Sequence, residues 1–132
     1  MPSLYIVISR QTPGVDLQVN GRSLSTHAEF LGNVARDLSV KPLMAFFSID
    51  PEEAAAFIDD AGGDSSSMTI EDEEWFDPKL GLATVGALSS YISERASAIE
   101  DADGILGDLN EFERVLRQAD VHGLGWHVAV DY

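Results

Sequence analysis

Two short apolar runs lie at opposite ends of this chain, Leu4-Tyr5-Ile6-Val7-Ile8-Ser9 and Trp126-His127-Val128-Ala129-Val130, and they constrain its fold more than any other feature. Both are rich in β-branched and aromatic residues and too short for core helices, so both read as strands. A terminal run this apolar pairs inside a sheet rather than hanging free. The two can share one small sheet only if the ends of the chain meet in space. Alternation puts Leu4, Ile6 and Ile8 on one face of the first strand, with Tyr5 and Val7 on the other. In the second it separates Trp126, Val128 and Val130 from His127, Ala129 and Asp131.

The sequence between the strands reads mainly as helices. Thr26 and Glu29 match a capping box, so a helix is expected to start at Ser25 or Thr26. Its apolar stripe is Phe30, Leu31, Val34, Ala35 and Leu38, and Lys41-Pro42 ends it. Leu43 to Phe47 reads as one or two helical turns. Asp50-Pro51-Glu52-Glu53 is the clearest start signal, with Asp50 as N-cap, Pro51 at the first position and Glu53 as reciprocal acceptor. Ala54, Phe57, Ile58 and Ala61 are then expected to pack inward until Gly62-Gly63 stops the helix. Leu82, Val85, Leu88, Tyr91 and Ile92 mark another helix, beginning between Asp77 and Gly81. The longest stripe is Ala102, Ile105, Leu106, Leu109, Phe112, Val115, Leu116 and Ala119, at steps of three and four. Asp103, Asp108, Glu111, Glu113, Arg114 and Arg117 fall mostly off it, and His122-Gly123 closes it. A brief edge strand is expected at Asp16-Leu17-Gln18-Val19, closed by the Asn20-Gly21 turn. The sum is one α+β domain over residues 1–132: a small sheet holding both terminal strands, packed with about four to five helices.

Charge is the most unusual property. Residues 1–41 hold four basic groups against three acidic ones, whereas residues 42–132 hold four basic groups against twenty acidic ones, giving −15 overall. A surface this acidic repels phosphate backbones, so neither nucleic acid nor an anionic membrane is an expected partner. A basic protein is favoured electrostatically. The plain alternative is that the acidity only keeps the chain soluble. The apolar share of 45% is enough for a core. No signal-like start and no apolar run of about 20 residues is visible, so a cytoplasmic location is the default.

Most catalytic chemistries fail on the residues present. Without cysteine there is no disulfide, thiolate ligand or thiol nucleophile. Gly63-Asp64-Ser65 resembles the opening of some esterases, but it follows a helix end instead of a strand. An EF-hand frame from Asp60 puts Glu71 at the twelfth position but Ser65 where glycine is required, and Asp101-x-Asp103-Gly104 has its glycine too early. His27, His122 and His127 lack zinc spacing. Gly104 and Gly107 sit among acids and make no phosphate loop; their plainer role is close helix packing. No cofactor and no metal site is expected, and no catalytic residue is assigned.

The segment Phe112-Glu113-Arg114-Val115-Leu116-Arg117-Gln118-Ala119, a turn at Gly123 and an apolar closing strand together resemble the end of the YfbM-like domains, small bacterial proteins without an assigned activity. Trp75, with Gly81-Leu82 opening an apolar helix, resembles that family's middle, although Phe76-Asp77-Pro78-Lys79-Leu80 stands where the family carries a His-Gly pair. The likeness covers about the second half of the chain and implies a bacterial origin and a fold, without site residues.

Two functional expectations remain. One is a non-catalytic interaction domain, an acidic binder of a basic protein in the manner of immunity proteins or antitoxins. Its contacts would come from the acidic connection between helices: Asp64, Glu71, Asp72, Glu73, Glu74 and Asp77. The other is a small-molecule-binding module or enzyme with a pocket near Trp75, Trp126 and His127. Against it stand the plainer readings of the tryptophans as core and of His127 as a structural histidine. Oligomeric state is open; an unpaired sheet edge would permit a dimer.

Overall fold

A computed structural model describes residues 2–64 and 72–131. The terminal runs meet as expected. Strand β1 (Ser3–Ile8) pairs antiparallel with β2 (Trp126–Asp131), setting Leu4 opposite Val130, Ile6 opposite Val128 and Ile8 opposite Trp126. Among the described residues five α-helices lie between the strands: α1 (Arg22–Thr26), α2 (Ala28–Asp37), α3 (Pro51–Asp60), α4 (Pro78–Glu94) and α5 (Ala102–Val121). Short 3-10 turns occupy Leu43–Phe46 and Ala96–Ala98. The protein is therefore a single small α+β domain. No helix of the described residues is long and apolar enough to cross a membrane.

The caps set the helix boundaries. Asp50 accepts from the Glu52 N–H at 2.8 Å with Pro51 opening α3, and Asp77 accepts from the Lys79 N–H at 2.9 Å with Pro78 opening α4. In both, a side-chain oxygen takes an amide that has no partner inside the helix, and proline supplies its fixed φ where no amide is needed. At the end of α5, Gly123 adopts φ +67 and the Leu124 N–H reaches back to the Ala119 carbonyl at 2.9 Å. A left-handed residue there costs glycine little, which turns the chain straight into β2.

The core is built on α5. Ala102, Ile105, Leu109, Phe112, Val115, Leu116 and Ala119 are all buried, and Val85, Leu88 and Ile92 of α4 are buried with them. Trp126 and Val128 from β2, with Leu4 and Ile6 from β1, supply the inner face of the sheet. Gly81 lets α4 come this close: a Cβ there would collide with the Trp126 indole. The indole also stacks at 4.7 Å on Phe46, and its Nε1 donates to the Asp77 carbonyl at 3.2 Å.

Four expectations are corrected. Residues 16–19 form no strand: the Gln18 N–H turns back to the Asp16 carboxylate at 2.9 Å, and the Arg114 guanidinium takes the Asp16 and Gln18 carbonyls at 2.9 and 2.7 Å. Those carbonyls are thus satisfied by a side chain rather than by a ladder. The Thr26–Glu29 capping box does not form, because a helix already starts at Arg22 and Thr26 is its last residue. Phe30 and Leu38 are half-exposed, since α2 turns Leu31, Val34 and Ala35 inward instead. Finally, α3 buries no side chain, and Phe57 is 72% exposed. Its stripe holds two alanines, too little apolar area to repay desolvating Glu52, Glu53, Asp59 and Asp60 against the core.

Candidate functional site

Antiparallel register puts Tyr5 opposite Ala129 and Val7 opposite His127, so these four share the outer face of the sheet. Two segments meet along the free edge of β2. Phe47 bridges Val128 in parallel, and the Ser48 N–H donates to the Val128 carbonyl at 3.2 Å. Phe76 bridges Trp126, exchanging hydrogen bonds of 2.9 and 3.1 Å. The Glu74 N–H donates to Ser48 Oγ at 2.8 Å and ties the two segments together.

His127 lies beneath this tie, only 1% exposed. Its Nε2 meets Glu73 Oε2 at 2.6 Å, its Nδ1 faces the Val128 carbonyl at 3.1 Å, and the Trp75 ring lies 4.9 Å away. Both ring nitrogens therefore face oxygens. Satisfying both takes a proton on Nδ1 and a second one in the Nε2–Oε2 contact. With both nitrogens engaged, the ring has none left to activate a nucleophile. Ser48, which lines the same cavity, has its hydroxyl accepting from the Glu74 N–H. A serine–histidine mechanism needs one ring nitrogen facing the acid and the other facing the hydroxyl, and this geometry does not supply that. The His127–Glu73 pair instead holds residues 72–75 onto the sheet.

Beside the pair opens a cavity of about 180 Å³. Tyr5, Val7, Ala129 and His127 form its floor, Phe47 to Asp50 and Glu53 one wall, and Glu73 the other. Three acidic residues, Asp50, Glu53 and Glu73, therefore line one concavity, and no described lysine or arginine lines it. The phenol of Tyr5 titrates above its ordinary 10.0, first because it is partly buried, then because Glu53 and Asp131 oppose a second negative charge. A broader groove of about 560 Å³ runs along the open edge of β1, between Tyr5–Ile8 and Gln11–Leu17.

The residues singled out in the acidic connection separate into different roles. Glu71 lies outside the described residues. Asp64 and Asp72 are exposed, Glu73 is half-buried against His127, and Glu74 is exposed with its amide on Ser48. Asp77 caps α4. Of the proposed pocket residues, His127 lines the cavity and Trp75 stacks on His127 outside it. Trp126 faces the opposite way and is fully buried in the core. No group of three or more His, Asp or Glu side chains among the described residues is arranged to hold a metal ion.

Tyr5, Phe47, Asp50 and Glu53 were not anticipated as site residues. Pairing the terminal strands antiparallel would have placed Tyr5 beside Ala129. Nothing local shows that the Phe47–Glu53 stretch folds over that face. Asp108 was also missed. It is 5% exposed, and one of its oxygens accepts from the Ser23 and Leu24 amides at 2.9 and 3.3 Å, capping α1 from α5. Burial pushes its carboxyl above the ordinary 3.8, against the lowering effect of those two bonds, with Glu111 and Asp101 adding to the rise. Its spacing was legible, three after Ile105 and four before Phe112, on the buried stripe itself.

Compared with known proteins, the chain matches no family model, no curated protein and no solved structure.

Proposed function

We propose that this chain is a non-catalytic interaction domain that binds a basic protein through the acidic surface around the outer face of its sheet. One observation carries the reading. Asp50 and Glu53 at the start of α3 and Glu73 from the following connection converge on one cavity without a described lysine or arginine among them. Scattered solubility charge has no reason to converge from separate parts of the chain. Acidic surfaces speed encounter with basic partners and fix the orientation in which they dock. The engagement of both His127 ring nitrogens by oxygens supports a binding role over a catalytic one. The likeness to YfbM-like domains carries no activity and leaves the reading as it stands.

The test is affinity capture from a lysate of the source organism at low salt, eluted by salt steps and identified by mass spectrometry. A single basic protein released at a defined step, and rebinding when purified, supports the proposal. Retention of nothing specific refutes it. A pocket for a small molecule is the second reading, favoured only by the cavity itself; at about 180 Å³ it is well below the roughly 300–1,000 Å³ that hold drug-sized ligands.

A further inference from the structure

The size and walls of the cavity fit one side chain better than a free ligand. Its volume of about 180 Å³ is close to the roughly 150 Å³ that holds a benzene molecule. The walls are of two kinds. Tyr5, Phe47 and Ile49 present apolar surface and are between 36% and 42% exposed. Asp50, Glu53 and Glu73 add negative charge at the edge of those surfaces. An apolar slot ending in carboxylates matches a long aliphatic stem carrying a cation, and two aromatic rings beside it favour the cation further. Glu53 and Phe57 stand one helical turn apart on α3, so the exposed ring extends the same helix face beyond the cavity.

We propose, resting on the interaction reading above, that this cavity receives a single lysine or arginine side chain from the basic partner. Asp50 and Glu53 pair its charge, while Tyr5, Val7 and Phe47 pack its stem. Glu73 remains with His127 and holds the far wall in place.

The probe is n-butylguanidinium, an arginine side chain without its backbone, titrated into the isotope-labelled protein and followed by amide NMR. Saturable shifts at Tyr5, Val7, Ser48, His127 and Ala129 are expected, with dissociation constants of about a millimolar. Glu53→Gln should weaken binding about fivefold while leaving the spectrum away from the cavity unchanged. Guanidinium without the butyl stem, and butanol without the charge, should each bind more weakly than the probe. Shifts spread over every acidic stretch, equal binding of butanol, or indifference to Glu53→Gln would each overturn the assignment. A captured partner that binds Glu53→Gln as tightly as the native chain would refute the cavity's role while the interaction reading survives. If the probe seats as described but no basic protein is captured, the partner assignment is wrong and the site belongs to a small free amine.

Discussion

Replacing Asp108 with alanine removes the carboxylate that caps the Ser23 and Leu24 amides of α1 from the buried face of α5, and should be among the most damaging single changes in α5. Two amides lose their acceptor, Ser23 N–H at 2.9 Å and Leu24 N–H at 3.3 Å. Leu24 is fully buried, so water cannot replace the carboxylate there. Leaving a buried donor unsatisfied costs about 1–3 kcal/mol, and losing the cap on the half-buried Ser23 amide costs about 1 kcal/mol more, for a total of about 2–4 kcal/mol. For a domain of this size each kcal/mol lowers Tm by about 3–5 °C, so Asp108→Ala should melt roughly 6–20 °C below the native protein. Asp108→Asn keeps an acceptor in place and removes a charge that burial disfavours, so it should cost about 1 kcal/mol or less at neutral pH. The pH dependence separates the two effects. Because the folded carboxyl titrates above 3.8, the folded state keeps its proton to higher pH than the unfolded chain. Its contribution is complete below that value and is lost as pH rises through the folded pKa. The native protein should therefore gain stability relative to Asp108→Asn as pH falls from neutral toward about 4. Urea unfolding of the three proteins at several pH values measures this. Equal loss in the alanine and asparagine variants, or a native advantage that grows with rising pH, would show that Asp108 is not a buried cap of raised pKa.

Other consequences follow from the same contacts. Glu73→Ala should destabilise by about 1–3 kcal/mol, because a buried imidazole nitrogen loses its partner, and limited proteolysis should cut the variant faster within residues 72–75. Gly81→Ala should push α4 away from the Trp126 indole, costing about 1–3 kcal/mol and shifting Trp126 fluorescence in a Trp75→Phe background. Tyr5 should titrate above 10.0; Glu53→Gln should bring it down toward that value without reaching it, since burial is the larger cause. Proton NMR of the Tyr5 ring follows that change.

The sheet, α4 and α5 were legible because local and global signals agree there. Apolar runs at both termini demand a shared sheet, the stripe of α5 is long, Asp50-Pro51 marks a helix start by chemistry that acts within one turn, and the start of α4 at Pro78 falls inside the Asp77–Gly81 window. Where the sequence misled, a distant residue had overridden a local rule. Thr26 and Glu29 spell a capping box, but Asp108 caps an earlier helix across 84 positions of chain. Asp16 to Val19 looks like a strand, but Arg114 takes its carbonyls. For the site, alternation correctly divided Trp126 from His127, and that division is what removes Trp126 from the pocket. The partner of His127 could not be read, because Glu73 is 54 residues away and arrives through a connection with no periodicity. The acidic stretch was visible as charge alone; which of its members cap, tie or face solvent depends on the tertiary path.

On the proposed interaction reading, charge at one place, rather than charge overall, recruits the basic partner. Two variants with the same net charge test it directly: Asp50→Asn with Glu53→Gln at the cavity, and Glu100→Gln with Asp103→Asn on exposed positions elsewhere. Asparagine is as good an N-cap as aspartate, so α3 keeps its start. Capture of the basic partner at matched salt should fall sharply for the cavity pair and stay near native for the distant pair. Equal capture by both variants would contradict the account.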